Sequence, residues 1–304
     1  MPQRIFITGA TGYLGAAITA RLVRAGHEVH GLTRTEEGAA IVRALGARAF
    51  VGDLHSSDIV LGDLKNCDAV VHAAVDGGDT PGADQLALET IRAGAQDGRV
   101  RRLLYTSGLW VHGDTHGAPV DETAALQPIE LVKWRAAHED VALDLAEFEV
   151  STVVLRPSIV YGGSRGILGA MFAEAKQHGT VTYAGDGSQV WGMVHVEDVA
   201  EGYALALEHG KGGERYILSD DSAHTVKDIA AAIARVTGAT AKPWPREEIV
   251  AALGHYGEAL LVSQRPNAGK ARRELGWVPR HTSFVNDVEA IYREWQTGQK
   301  ATVG

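Results

Sequence analysis

The sequence predicts an α/β protein: a Rossmann-type, doubly wound parallel sheet with a smaller, interleaved C-terminal substrate lobe. Three observations carry that prediction. Short apolar runs alternate with amphipathic helical patterns, a glycine-spaced turn follows the first apolar run, and the alternation gives way to glycine-rich and proline-punctuated chain after Pro157.

The elements follow in order. Strand-like runs lie at Arg4–Thr8, Glu28–Leu32, Ala47–Val51, Ala69–His72, Arg101–Ser107 and Val150–Leu155. Helical patterns lie between them near Tyr13–Ala25, Glu36–Leu45, Ala83–Gln96 and Ile129–Ala146. Such alternation requires crossovers, so the strands run parallel with helices on both faces and ligands at their carboxyl ends. Further on come a glycine-rich loop at Tyr161–Gly166, a helix near Ile167–Gln177, a turn at Gly185–Ser188, a strand at Arg215–Leu218 and helices at Val226–Val236 and Ala268–Leu275. Residues 1–165 read as the core, with 193–238 returning to it. Residues 166–192 and 239–304 read as the smaller lobe.

Composition sets the outer bounds. The 304 residues are 45% hydrophobic and 22% charged, ordinary for a chain with a sizeable core. A net charge of -9 argues against a nucleic-acid partner, which needs clustered cations. Cys67 is the lone cysteine, so an intrachain disulfide and a tetrathiolate zinc site are both excluded. The first strand runs straight into glycines without signal-peptide architecture, and no apolar stretch reaches bilayer length. A cytoplasmic protein acting on a small molecule, without a membrane partner, is expected; the reading leaves room for a homodimer.

Thr8-Gly9-Ala10-Thr11-Gly12-Tyr13-Leu14-Gly15 joins the first strand to the first helix, the context that makes a glycine motif informative. Gly9 permits the tight turn, Gly12 lets backbone approach a pyrophosphate, and Gly15 permits close helix–strand packing. NAD-binding sites carry a carboxylate at the second strand's tip to accept from the ribose 2′-hydroxyl. Here the tip reads Leu32-Thr33-Arg34, without an acid. A carboxylate would repel a 2′-phosphate, whereas Arg34 can bond to one, so NADP(H) is expected over NAD(H). Asp53 and Leu54 close the third strand, where adenine would lie. Ala73 and Ala74 close the fourth, small enough for a cofactor backbone to pass.

These motifs resemble those of the extended short-chain dehydrogenase/reductase superfamily, the NAD-dependent epimerase/dehydratase group. The likeness includes Gly52-Asp53-Leu54, Tyr105-Thr106-Ser107 with Val111-His112-Gly113, Arg156-Pro157 with Val160-Tyr161-Gly162, His195-Val196-Glu197-Asp198, and Lys270 through Trp277. It implies the fold given above and a Ser/Thr–Tyr–Lys catalytic set. On this chain Gly108 falls at the Ser/Thr position, Leu131 at the tyrosine and Arg135 at the lysine. No tyrosine occurs from Thr106 to Val160, so the chain reads as an atypical member.

Arg135 remains able to hold ribose hydroxyls, but a permanent cation is no proton donor. His112, just past the fifth strand, titrates near neutrality and is the expected acid, supported by Ser107 and Arg135. Pro157 and Ser158 are expected beside the cofactor, with Gln189 and Trp191 lining the crevice, and core packing is the expectation for Trp110 and Trp134 over an apolar wall there. His112 and His116 flank glycines in a loop, so no metal site is expected. The leading reading is an NADP(H)-dependent oxidoreductase acting on a small carbonyl-type substrate. The alternatives are an epimerase or dehydratase acting on a sugar-nucleotide-like substrate, and a nonenzymatic NADP(H)-binding regulator.

Overall fold

A computed structural model describes residues 1–54, 57–75 and 78–303. Seven strands form one parallel sheet: β1 (Arg4–Thr8), β2 (Glu28–Thr33), β3 (Arg48–Val51), β4 (Ala69–His72), β5 (Arg102–Thr106), β6 (Ser151–Pro157) and β7 (Arg215–Leu218). Their spatial order is β7-β6-β5-β4-β1-β2-β3. The order reverses between β1 and β4, in register Ile5↔Ala69 to Thr8↔His72. That reversal opens a crevice beyond the strands' carboxyl ends, the usual ligand position in such sheets.

Helices α1 (Tyr13–Arg24), α2 (Glu36–Ala44), α3 (Ser57–Leu64), α4 (Thr80–Gln96) and α5 (Lys133–Asp144) connect these strands. The α5 entry differs from the sequence expectation. Ile129, following Pro128, is extended at φ -64° and ψ 156°, and Glu130–Val132 form one tight 3-10 turn before the α-helix begins. Leu131 therefore sits on that turn and is 36% exposed.

The second half contributes α6 (Gly166–His178), α7 (Val196–His209), α8 (Val226–Thr237), α9 (Gly269–Leu275) and α10 (Phe284–Val303). Phe284, Val288, Ile291 and Trp295 follow the helical repeat and bury one face of α10. Full burial of each such side chain is worth roughly 1.5–3 kcal/mol. They pack in a second core with Phe172 of α6 and Ile229 and Ile233 of α8.

Two segments lie differently from the sequence grouping. Helix α8, grouped there with the first core, packs in this second one because Val226, Ile229, Ala230 and Ile233 face α6 and α10. Conversely, Ala268, Ala271, Leu275 and Trp277 of the C-terminal stretch pack in the first core with Val199 and Tyr203 of α7. Trp277 Nε1 donates to the Asp198 carbonyl at 2.8 Å, fixing that attachment. Parallel strands at Thr180–Ala184 and Thr240–Trp244 brace the lobe. No helix among the described residues is long and apolar enough to cross a membrane.

Candidate functional site

The β1–α1 turn is shaped by backbone crowding. A Cβ on Gly9 (φ +71°) would stand 2.6 Å from the Ala73 carbonyl oxygen, and one on Gly15 would stand 2.0 Å from the Gly9 oxygen. Gly15 thus brings α1 against the turn rather than facing a ligand. Gly12 is the N-cap of α1 with no side-chain cap bond, and the first turn carries no acid. The helix start therefore keeps its amides and dipole available for an anion.

This turn forms one wall of a cleft of about 620 Å³. Gly9, Thr11, Gly12, Tyr13 and Leu14 line it, Thr33 and Arg34 enter from the β2 tip, and Asp53 and Leu54 from beyond β3. Ala73 and Ala74 form its floor beyond β4, with Ser107 and Arg135 at its far end. At the β2 tip, Thr35 caps α2 by accepting from Gly38 N at 3.1 Å. Gly38 has no side chain because a Cβ would meet Thr33 Oγ1 at 2.0 Å. Glu36, in α2's first turn, reaches Arg43 at 3.5 Å.

The residues fit a dinucleotide: a glycine turn against a helix start, a cleft of ligand size, and a cation at the β2 tip.

Beneath this cleft lies a buried polar network that sequence reasoning missed. Thr8 Oγ1 accepts from Ala73 N at 3.2 Å and lies 2.7 Å from His72 Nδ1. The hydroxyl proton goes to Nδ1, leaving Nε2–H to donate to Asp84 Oδ1 at 3.0 Å. Asp84 Oδ2 accepts from Tyr105 at 2.8 Å and His138 at 2.8 Å. Burial pushes the Asp84 carboxyl up, yet the bonds from His72, His138 and Tyr105 together hold it at about 2. The carboxylate thus stays ionised and locks the floor of the cleft. The sequence signal was present, since His72 ends a strand and Asp84 lies on the next helix, but nothing in their spacing announces a pair.

A second cavity of about 300 Å³ adjoins the first and shares Tyr13, Ser107 and Arg135 with it. Leu109, Trp110, Val132, Ile159, Val160 and Ile167 make most of its wall. Pro157 and Ser158 line this cavity rather than the cofactor cleft. The Oγ atoms of Ser107 and Ser158 are both buried with no hydrogen-bond partner. Ser107, together with Arg156 and Arg215, also holds the neighbouring Glu139 carboxyl below its ordinary value. Gly108 is extended (φ -174°) and a Cβ there would meet only the Pro157 oxygen, at 4.0 Å, so its lack of a side chain enlarges the cavity.

Arg135 Nη1 donates to the Thr106 carbonyl at 2.8 Å, and its guanidinium lies 4.5 Å from the Trp134 ring centroid. These contacts hold it where the two cavities meet. Tyr13 donates to the Gly162 carbonyl at 2.6 Å. Burial first, and the Glu294 charge second, push its hydroxyl pKa well up, so it acts as a neutral donor. Leu131 lines neither cavity.

His112 is not brought to the cleft, contrary to the sequence expectation. It is 3% exposed and lines neither cavity. Arg156 Nη1 lies 3.1 Å from His112 Nε2. An arginine can only donate, so Nε2 accepts and the ring proton sits on Nδ1, which is buried. Burial and the Arg156 charge push the imidazole down to about 4. Arg156 is itself bound to buried Glu139, at 2.9 Å and 2.5 Å, so His112 belongs to a core ion cluster. Gln189 and Trp191 also lie away from this second cavity.

Comparison with known proteins agrees with this architecture. The model of the NAD-dependent epimerase/dehydratase family matches residues 5–219. An uncharacterised protein of Schizosaccharomyces pombe is 31% identical, over 94% of this chain and 98% of its own length. A 4-hydroxy-2-methyl-3-oxo-4-farnesyl-3,4-dihydroquinoline-1-oxide ketoreductase of Stigmatella aurantiaca is 29% identical, covering 98% of each chain. Among solved structures, a double mutant of dTDP-glucose 4,6-dehydratase from Streptomyces venezuelae with NAD bound superposes with a TM-score of 0.83. At 21% identity over 98% of both chains, that likeness is one of fold.

Proposed function

We propose that this chain, which belongs to the NAD-dependent epimerase/dehydratase family, is an NADP(H)-dependent oxidoreductase that reduces an uncharged carbonyl compound. The observation that carries the reading is the junction of the two cavities, where Ser107, Arg135 and Tyr13 face both at once. The bound cofactor supplies the hydride. The chain's own residues hold the carbonyl at that junction. The hydroxyls of Ser107 and Ser158 donate to its oxygen, and the Arg135 cation favours the negative charge that grows there. Arg135, Tyr13 and Ser107 also close the cofactor end.

Among the described residues lining the second cavity, Tyr13 and Arg135 are the titratable ones. A tyrosine pushed up by burial and a permanent cation both make poor acids, so water delivers the final proton. Preference for NADP(H) rests on Arg34 in the cleft and on the absence of an acid at the β2 tip. Carbonyl reduction is favoured over sugar-nucleotide chemistry because Arg135 is the sole cation among the described residues lining the second cavity, and it is tied to Thr106.

The test is loss of NADPH absorbance with a panel of aliphatic and aromatic ketones, alongside calorimetric titration of both cofactors. NADPH should bind more tightly than NADH. Arg34→Ala should remove about 10- to 100-fold of that preference, the equivalent of roughly 1.5–3 kcal/mol for a charge-assisted bond. Equal or tighter NADH binding by the wild-type protein would overturn the cofactor assignment. No turnover across the panel would overturn the reductase.

A further inference from the structure

A third cavity, of about 180 Å³, lies in the C-terminal lobe. Met171, Tyr183, Trp191, Trp244, Ile249 and Tyr256 give it an aliphatic and aromatic wall. Ile167, near the start of α6, lines both this cavity and the one holding Ser107 and Ser158. The two cavities thus share Ile167 in their walls.

Trp191, in the wall of the third cavity, carries an unmet polar group. Trp191 is 3% exposed and its indole Nε1 is buried with no hydrogen-bond partner. A buried N–H left unmade is unfavourable, and an indole can only donate. Its complement is a neutral acceptor such as a carbonyl or ester oxygen. Glu174 is the only charged side chain among the described residues lining the cavity. Its carboxylate already accepts from Thr182 N at 3.1 Å and Thr182 Oγ1 at 3.1 Å. Its negative charge disfavours an anion, and no cation among the described residues lines the cavity to offset it.

We infer that this cavity is a substrate-arm subsite, which takes an uncharged, lipophilic arm carrying a hydrogen-bond acceptor that Trp191 Nε1 engages. The inference rests on the carbonyl reading above and narrows it. The substrate is a neutral carbonyl compound with an apolar extension that passes Ile167. A nucleoside diphosphate, anionic and strongly hydrated, does not match this wall.

Three matched probe series test this: methyl ketones of eight to twelve carbons, the same chains ending in a methyl ester, and the same chains ending in a free carboxylate. Binding is read by calorimetry on the full chain with NADP+ present. Failure of the reductase reading thus appears as absent NADPH turnover, and failure of the subsite as altered binding ratios. Each added methylene should tighten ketone binding roughly threefold. At the best-fitting length the ester should bind about 3- to 10-fold more tightly than the plain ketone, and the carboxylate more weakly than either.

Trp191→Phe keeps a ring but removes the donor, and should erase the ester advantage while leaving the chain-length increments. Ala170→Trp places bulk on an exposed position of α6 that lines this cavity, and should abolish the increments. Thermal melting confirms that both variants fold. A flat chain-length series, an ester advantage that survives Trp191→Phe, or tightest binding by the carboxylate would overturn the subsite.

Discussion

The cofactor cleft is shaped mostly by backbone, whereas the cavity beside it is shaped by side chains from widely separated segments. In the cleft, Gly9, Gly12 and Gly15 matter because of atoms they lack. Added Cβ atoms would stand 2.6, 3.0 and 2.0 Å from carbonyl oxygens of the turn and the β4 end. In the adjoining cavity, Ser107, Val132, Ser158, Ile167 and Gln264 meet only after the chain has folded. Gln264 does so as a brace, donating to the Leu109 carbonyl at 2.9 Å and the Gly113 carbonyl at 2.8 Å. Local backbone geometry leaves a mark at fixed spacing, and a wall assembled from distant side chains leaves none.

The largest effect should come from breaking the backbone-built half. Gly12 is extended (φ -70°, ψ 173°), so a branched residue is conformationally allowed there. Gly12→Val would still occupy the approach to the helix start. Cofactor affinity should fall about 10²- to 10⁴-fold, the loss of two charge-assisted bonds, while the melting transition persists. Calorimetry on the folded variant decides, and wild-type affinity would reduce the glycines to a packing turn.

Breaking the side-chain-built half should have a smaller and differently distributed effect. Ser158→Ala removes a hydroxyl that has no protein partner to leave stranded, and Ser107→Ala takes one contact from a Glu139 carboxylate that Arg156 and Arg215 still hold. Folding stability should therefore hardly change. Each should lower kcat by roughly 10- to 100-fold with cofactor affinity kept, since the lost bond is strongest to the charge developing on oxygen. A proportional rise in KM at constant kcat would instead place these hydroxyls on some other part of the substrate.

The same contrast explains what could be read beforehand. The strand–helix alternation, the β1–α1 motif and the acid-free β2 tip are properties of contiguous chain, and the sheet order follows from them. Helix α10 was legible too, since Phe284, Val288, Ile291 and Trp295 repeat on one face, yet the sequence reading places no helix beyond Leu275. The His72–Asp84 pair was hidden because its partners lie 12 residues apart on a strand and a helix whose packing sets the distance. Pro157 and Ser158 were assigned to the cofactor because proximity in sequence to β6 does not say which side of the junction a side chain joins. His112 looked catalytic because a histidine past a strand end normally faces the ligand crevice. Here Arg156 and Glu139 draw it inward.

The smallest effect on activity is expected at that histidine. A positioned acid contributes about 10²- to 10⁴-fold, so His112→Gln would be damaging if His112 protonated the substrate. With the ring buried against Arg156 and outside both cavities, kcat/KM should instead stay within about threefold. The wild-type rate should also show no inflection near pH 6.5.

The pH signature moves to stability. The folded pKa of His112 is depressed to about 4 from 6.5, so its contribution is full above pH 6.5 and shrinks as pH falls toward 4. Asp220 works the other way. Burial raises its carboxyl to about 6 from 3.8, so the folded state takes up that proton first and gains stability as pH falls through 6. Between pH 6.5 and 5 the histidine should remove roughly 2 kcal/mol and the aspartate restore roughly 1 kcal/mol, two opposed contributions to the whole profile. Relative to the wild type, His112→Gln should lose less stability, or gain more, over that interval, and Asp220→Asn should lose more. Urea melts at the two pH values read both slopes, and a slope in His112→Gln equal to the wild type's would show that the ring is not the buried neutral base described here.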